Sequence, residues 1–180
     1  HLGFKFEELT KKTGDSLESI VSEVIKTVEE QEKESNLSIP VIAAGGIFDG
    51  KDIAKFIKLG AKGVQMATRF VTTDECSVAD KFKELYLKAK AEDIVIIESP
   101  VGLPGRAIKT PFIERIIRGE KEPIRCVYKC LITCNPATVP YCIAKALCNA
   151  SIGDLDNAVV FTGSNVPNVK EIVPVKQLID

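Results

Sequence analysis

The sequence predicts an α/β fold, and three neighbouring stretches support this prediction. Residues 40–44 form a short, apolar, β-branched run, which is typical of a strand buried on both faces. Residues 51–59 carry apolar side chains at helical spacing, and residues 62–67 form a second strand. Because a helix between two strands of one sheet makes the strands parallel, the turns that follow both strands lie at one edge. Ligands of α/β proteins bind at this edge.

The other elements follow from caps, periodicity and turn residues, taken in chain order. Asp15 or Ser16 begins a first helix that extends to about residue 33. Asp49 begins the central helix, and Gly60 ends it. The remaining predicted elements are a loop at 71–76, a helix at about 78–91, a strand at 94–97, an ordered loop at 98–110, a helix at 111–118 that starts with proline, a loop-rich segment at 120–140, a helix at 141–150, a short helix or strand at 154–161, a tight turn at 162–165 and a closing helix at 173–179.

Composition excludes some classes of function. Hydrophobic residues make up 45% of the 180 residues and charged residues 27%, with a formal net charge of -1. This charge indicates no strong attraction to nucleic acid or to an anionic membrane. No apolar run approaches the length of a membrane span, and no secretory signal is visible. Six cysteines in Lys/Glu-rich surroundings then favour reduced thiols and a cytoplasmic location.

The number of strands is too small for a complete parallel sheet. Two parallel strands cannot cover both of their own faces, because such sheets are buried between layers of helices. We therefore expect the other strands to come from a second chain, or from an amino-terminal part that precedes this sequence.

Residues 39–71, IPVIAAGGIFDGKDIAKFIKLGAKGVQMATRFV, strongly resemble the nitronate monooxygenase (2-nitropropane dioxygenase) family of FMN-dependent TIM barrels. The resemblance continues through residues 102–110 and from residue 154 to the end. Flavin-dependent enoyl-ACP reductase belongs to the same superfamily. The resemblance implies a carboxyl-terminal fragment, containing about strands 7 and 8 of a (β/α)₈ barrel and the helices that follow.

This resemblance implies three segments and a structural partner. Residues 1–97 would form the barrel portion with the FMN phosphate site, and residues 98–161 a loop-rich, cysteine-containing subdomain over the barrel mouth. Residues 162–180 would close the barrel. The implied partner is the amino-terminal part of the same barrel, and a homo-oligomer is possible.

The resemblance also implies a cofactor site in the two turns. Backbone N–H groups would donate to the FMN phosphate, with help from a threonine hydroxyl. In most relatives glycine stands where this chain has Ala67. The implied FMN-binding residues are Gly45, Gly46, Gln65, Met66, Ala67 and Thr68. Ordinary βα turns, in which glycine is common, are the alternative.

His1 is the implied catalytic residue, because His1-Leu2-Gly3 matches the end of a family motif that contains the catalytic histidine. Its near-neutral pKa suits a base that removes a proton α to a nitro group. From the sequence alone, a terminal residue without a role is the alternative. The implied reaction is FMN-dependent oxidation of alkyl nitronates by O2. The alternatives are FMN- and NAD(P)H-dependent reduction of an enoyl thioester, or a flavin-free binding module.

The cysteines and three basic residues are weaker candidates. We expect no metal, because the spacing C-x3-C-x3-C-x7-C of Cys126, Cys130, Cys134 and Cys142 matches no usual metal signature. If the first three lie on one helix, they share a face, so a zinc or iron–sulfur site stays open. Arg69, Arg106 and Lys109 could stabilise a reduced flavin, but solvent-facing charges or ion pairs explain them equally well.

Overall fold

The structure, a computed structural model, describes residues 16–127, 129–132 and 134–180, which form helices around two small sheets. The helices and strands are α1 (Leu17–Ser35), β1 (Ile42–Ala44), α2 (Gly50–Lys58), β2 (Gly63–Gln65), α3 (Thr68–Val71), α4 (Asp80–Lys88), β3 (Ile94–Glu98), β4 (Pro104–Ile108), α5 (Pro111–Ile117), α6 (Ile143–Ser151), β5 (Val160–Phe161) and α7 (Val175–Ile179). Short 3₁₀ turns lie at Ala91–Asp93, Leu155–Asn157 and Val166–Asn168. No helix in these ranges is long and apolar enough to cross a membrane.

The predicted strand–helix–strand unit is confirmed. β1 and β2 are parallel neighbours, with Ala43 opposite Val64. Asp49 caps α2, because its carboxylate accepts the backbone N–H groups of Lys51 at 2.9 Å and of Asp52 at 3.0 Å. Gly60 follows the helix at φ +109°, a conformation that favours glycine. An ion pair between Glu18 and Lys55 joins α1 to α2.

The prediction that the first strand is buried on both faces is wrong for the part of the chain described. Ala43 is 1% exposed, but Ile42 is 53% exposed. The physical reason is that α1 and α2 cover only one face of this two-stranded sheet. The small core on that face consists of Val21, Ala43, Ile47, Phe56 and Ala61.

The ordered loop predicted at 98–110 is also wrong in part, because it contains β4. β4 lies between β3 and β5 and is antiparallel to both, with Ala107 opposite Phe161. Pro104 is the first residue of the strand, a position where proline is tolerated. A Cβ atom at Gly105 would lie 2.4 Å from a ring carbon of Phe161, which is too close for any side chain. Glycine at this position therefore allows the two strands to pack closely. Proline and glycine therefore marked a strand rather than a loop.

Most of the buried apolar residues lie on the two faces of the β3–β4–β5 sheet. Ala107 and Ile108 face opposite clusters, as alternation along a strand requires. The cluster next to α4 consists of Tyr86, Ala89, Ile108, Ala150, Ala158, Val160, Val166 and Val169. The cluster next to α5 and α6 consists of Ile97, Ala107, Phe112, Ile113, Tyr141, Ile143, Ala146 and Val159. Antiparallel pairing thus builds the main core.

The other predicted helices are confirmed with small shifts at their ends. The segment at 154–161 contains both predicted alternatives, a helical turn followed by β5. The predicted division between residues 97 and 98 falls inside β3 and stays a prediction.

Candidate functional site

The turn after β1 holds two glycines in a conformation that other residues rarely adopt. Gly45 has φ +104° and Gly46 has φ +68°, both in the left-handed region. A Cβ atom added to Gly45 would meet no other atom within 4 Å. The backbone conformation, rather than crowding, therefore requires these glycines, and open space remains beside the turn for a ligand.

The turn after β2 leads directly into α3. Ala67 is the N-cap residue, at φ −132° and ψ −52°, and its side chain caps no N–H group. Because this φ is negative, alanine fits without the strain that would require glycine. Gln65 ends β2 with an exposed side chain, whereas the side chain of Met66 packs against the core beneath the sheet.

A third segment, residues 162–165, ties the two turns together. The backbone N–H of Gly163 donates to Thr68 Oγ1 at 3.1 Å, and Asn165 Nδ2 donates to the carbonyl oxygen of Gly46 at 2.7 Å. A Cβ atom at Gly163 would lie 2.5 Å from Thr68 Oγ1, so only glycine permits this approach. The strand ends therefore carry three connected turns.

The antiparallel sheet holds this third segment in place. The hydroxyl of Tyr86 donates to the carbonyl oxygen of Phe161 at 2.6 Å. Burial raises the pKa of Tyr86 to about 12, so the hydroxyl keeps its proton at physiological pH. The N–H of Thr162 donates to the carbonyl oxygen of Arg106 at 3.0 Å, which extends the pairing of β4 and β5. Residues 162–165 therefore leave the sheet from a buried, hydrogen-bonded strand.

These three turns provide hydrogen-bond donors for an anion. Thr68 Oγ1 accepts one hydrogen bond and keeps its own hydroxyl hydrogen, which can donate to a ligand. Backbone N–H groups in glycine turns can do the same, and such turns bind phosphate in many proteins.

The sequence indicates the tight turn at 162–165 but no function for it. The available signal was the order Gly163-Ser164-Asn165 directly after a short apolar run. Its partner Thr68 lies 95 positions earlier in the chain. Only the tertiary structure brings the two together.

Two of the basic candidates, Arg69 and Lys109, contact a side chain of the described residues. The guanidinium carbon of Arg69 lies 4.8 Å from the ring centroid of Phe48. Lys109 Nζ lies 3.5 Å from a carboxylate oxygen of Glu114, which confirms the ion-pair interpretation of this lysine. Arg106 is half-buried on β4, and burial lowers its pKa. Its main-chain contact with residue 162 places it near the third turn.

The cysteine segment is loop-rich, as the sequence predicts, so the condition under which three cysteines would share a helical face is not met. Cys126, Cys130 and Cys134 lie in irregular chain, and Lys129 has φ +44°, a conformation that interrupts a right-handed helix. These three cysteines and Cys142 nevertheless line one cavity of about 510 Å³. Burial raises the pKa of the Cys134 thiol, and the other three cysteines raise it further. All six cysteines of the chain are free thiols.

Two further expectations concern catalysis and metals. His1 lies outside the described residues, so its role as a base stays a prediction. Within the described ranges, no three His, Cys, Asp or Glu side chains are grouped so that they could hold a metal ion.

Comparison with known proteins reveals similarity along the whole chain. A family model described as nitronate monooxygenase matches residues 1–180. A probable nitronate monooxygenase of Staphylococcus saprophyticus is 40% identical over 86 residues, which are 48% of this chain and 24% of that protein. A Mycobacterium tuberculosis protein is 41% identical over 83 residues, which are 46% of this chain and 23% of that protein. It is named (3aS,4S,5R,7aS)-5-hydroxy-7a-methyl-1-oxo-octahydro-1H-indene-4-carboxyl-CoA dehydrogenase.

A solved structure resembles nearly all of the chain. FabK from Thermotoga maritima superimposes with a TM-score of 0.69 at 33% identity, over 92% of this chain and 47% of that chain. This likeness supports the α/β fold predicted from the sequence. The matches span about a quarter of the two curated relatives and about half of the solved chain.

Proposed function

The chain belongs to the nitronate monooxygenase family, and we propose that its three connected turns bind the phosphate of FMN in an enzyme that oxidises alkyl nitronates with O2. The observation that carries this proposal is the pair of turns at the carboxyl ends of β1 and β2, joined by Asn165 and Gly163. Parallel strands of α/β proteins bind ligands at this edge.

The residues at the strand ends fit a phosphate group. The left-handed glycines leave open space beside the first turn, and Thr68 offers a hydroxyl hydrogen. The residues assigned to the phosphate are Gly45, Gly46, Gln65, Met66, Ala67 and Thr68. Met66 would contribute through its backbone, because its side chain packs against the core. Residues 162–165 would hold the turns at a constant separation.

The chemistry divides between the cofactor and the chain. Bound FMN supplies the ring that accepts electrons from the substrate. His1 is assigned as the base that removes the α proton when the substrate is the neutral nitroalkane, since a near-neutral pKa suits this step, and as the residue that orients the nitronate once it is formed. The products are a carbonyl compound and nitrite.

We further propose that the chain is the carboxyl-terminal part of a (β/α)₈ barrel. β1 and β2 would be strands 7 and 8, and the amino-terminal part of the barrel would cover the exposed face of Ile42. Residues 1–97 would carry the phosphate site, residues 98–161 would lie over the barrel mouth, and residues 162–180 would close the barrel.

The second candidate function is NAD(P)H-dependent reduction of an enoyl thioester with FMN. The observation that favours it is the M. tuberculosis relative, whose name describes a dehydrogenase of a carboxyl-CoA thioester. The same phosphate turns would serve both reactions, so the two candidates differ in their substrates and in whether electrons pass to O2 or come from NAD(P)H.

One experiment separates these functions in the intact, FMN-containing protein. We expect O2 uptake with propionate 3-nitronate and little NADPH oxidation with crotonyl-CoA. Rapid NADPH oxidation without nitronate turnover would establish the reductase instead. A preparation that binds no FMN after incubation with the cofactor would contradict both and leave the flavin-free module.

Two glycine-to-alanine variants, one in the turn and one outside it, test the phosphate site itself. Gly46→Ala forces a side chain into the left-handed region, at a cost of about 1–2 kcal/mol. We expect FMN to bind about 5- to 30-fold more weakly if the turn changes conformation to relieve this strain. Gly50→Ala is the matched control, because Gly50 has open space around it and no positive φ. Fluorescence titration with FMN measures both, and equal affinities would contradict the proposed site.

A further inference from the structure

Arg106 carries a half-buried positive charge that no other side chain neutralises within the described residues. Its guanidinium takes part in none of the ion pairs or side-chain hydrogen bonds of that part of the chain. Burial lowers the pKa of Arg106, and no carboxylate of the described residues counters this effect. Because removing a charge from water without a partner costs free energy, such an arginine is typical of a site that receives an anion.

Other cations near this sheet have partners of their own. Lys109 Nζ, just beyond β4, lies 3.5 Å from a carboxylate oxygen of Glu114. Arg115 Nη2 lies 3.1 Å from a carboxylate oxygen of Glu122. Arg106 therefore differs from both of these residues, since it is partly removed from water and lacks a carboxylate.

The strand β4 directs Arg106 toward the side of the sheet where the phosphate turns lie. Side chains alternate along a strand, so Arg106 shares a face with Ile108, whereas Ala107 belongs to the opposite face. Phe48 and Val71 pack against the cluster on the Ile108 face. Phe48 follows the first phosphate turn by two positions, and Val71 ends α3, which begins in the second turn. Arg106 therefore stands on the face that contacts both turn segments.

The register along β4 places Arg106 beside the third turn as well. The N–H of Thr162 donates to the carbonyl oxygen of Arg106 at 3.0 Å. The N–H of the next residue, Gly163, donates to Thr68 Oγ1 at 3.1 Å. One residue thus separates the strand contact of Arg106 from the contact that holds Thr68. We propose that the guanidinium of Arg106 binds the phosphate of FMN, an inference that rests on the flavin site proposed above.

A guanidinium supplies what the turns lack. The donors assigned to the three turns are backbone N–H groups and a hydroxyl, which carry no net charge. A phosphate monoester carries about −1.5 to −2 charges at neutral pH. Arginine offers two parallel N–H donors that match two phosphate oxygens, and it keeps its charge when it is partly buried. Arg106 would therefore neutralise part of the phosphate charge, while the turns fix the position of the phosphate.

The test compares FMN with riboflavin, which has the same ring system but no phosphate. In the intact protein, Arg106→Gln should weaken FMN binding about 10- to 150-fold, the range expected for hydrogen bonds to a charged group. Its riboflavin affinity should be unchanged, because the ring makes no use of this arginine. Arg106→Lys keeps the charge but loses the parallel donors, so it should recover part of the FMN affinity. Fluorescence titration measures both ligands, and Arg106→Lys gives the same comparison if Arg106→Gln does not fold.

Lys109→Gln is the matched control. It removes the same charge three positions away, from an exposed side chain that already has a carboxylate partner, so its FMN affinity should equal that of the unmodified protein. Unchanged FMN binding by Arg106→Gln, or equal weakening of FMN and riboflavin, would overturn the role of Arg106 and leave the phosphate turns in place. An unmodified protein that binds FMN no more tightly than riboflavin would overturn the phosphate site itself, and this inference with it.

Discussion

β1 and β4, which have three and five residues, differ in the number of neighbouring strands and in the number of buried faces. β4 has neighbours on both sides and a buried cluster on each face, so Ile108 is fully buried. β1 has one neighbour and one covered face, and Ile42 is half exposed. The β3–β4–β5 sheet therefore carries most of the core, whereas the β1–β2 unit carries the open edge of the proposed FMN site. Substitutions in the two regions should accordingly change different properties.

The largest expected difference is between two isoleucines. Ile108→Ala should lower the free energy of unfolding by about 2–5 kcal/mol, because it leaves a cavity in the main core. Ile42→Ala should cost less than about 1 kcal/mol, since half of its side chain is already in water. Urea unfolding of both variants measures the difference. Equal losses would show that β1 is as deeply buried as β4.

Two buried tyrosines sharpen this comparison within the main core. Tyr86→Phe should lower stability by about 0.5–1.5 kcal/mol, because it removes the hydrogen bond to the carbonyl oxygen of Phe161. The hydroxyl of Tyr141 is buried and has no hydrogen-bond partner among the described residues, while its ring packs edge-on against Phe112 at 5.2 Å. Tyr141→Phe should therefore be neutral or stabilising.

Thermal unfolding compares the two tyrosine variants with the unmodified protein. A larger loss for Tyr141→Phe than for Tyr86→Phe would reveal an unrecognised partner of the Tyr141 hydroxyl. It would also place the stronger polar contact on the α5–α6 side of the sheet.

At the open edge, the expected effect is on cofactor affinity. Asn165→Ala removes the hydrogen bond to the Gly46 carbonyl, which is worth about 0.5–1.5 kcal/mol. If all of this energy orders the turn, FMN should bind about 2- to 10-fold more weakly, with little change in stability. Asn168→Ala is the control, because this exposed side chain has no role in tying the turns. Titration with FMN measures the affinity of both variants. An unchanged affinity in Asn165→Ala would show that residues 162–165 do not support the phosphate site.

The smallest expected effect is the pH dependence of the α2 cap. Hydrogen bonding from the Asp52 N–H, with a smaller contribution from Lys51, holds the pKa of Asp49 below its usual value. Because the folded-state pKa is lowered, this contribution is present above the unfolded pKa and is lost as pH falls through the folded value. Asn keeps an acceptor but no charge. The melting temperature of Asp49→Asn should therefore fall slightly below that of the unmodified protein at neutral pH and converge with it in acid.

A constant difference between the two melting curves at every pH would contradict the assigned cause. It would show that the difference between the two side chains does not depend on the ionisation of Asp49.

Local signals in the sequence predicted the local structure well. The caps of α2 at Asp49 and Gly60 are set by residues within a few positions, so neighbours in sequence were sufficient. The turn at Gly45-Gly46 was recognisable for the same reason. Failures occurred where distant segments decide the outcome. Pro104 and Gly105 indicated a loop, but pairing with β3 and β5 makes this segment a strand.

The sequence by itself therefore determined the parallel strand–helix–strand unit, its glycine turns and the family resemblance, because each depends on short-range spacing and conformational preference. Only the tertiary structure decided that residues 162–165 join the two turns, since Thr68 and Gly163 lie 95 positions apart. It also decided that β4, not β1, is buried on both faces, because burial depends on which layers cover a strand. The four cysteines that line one cavity follow the same rule, because their spacing in the sequence left open whether they lie close together and the folded chain places them around one space.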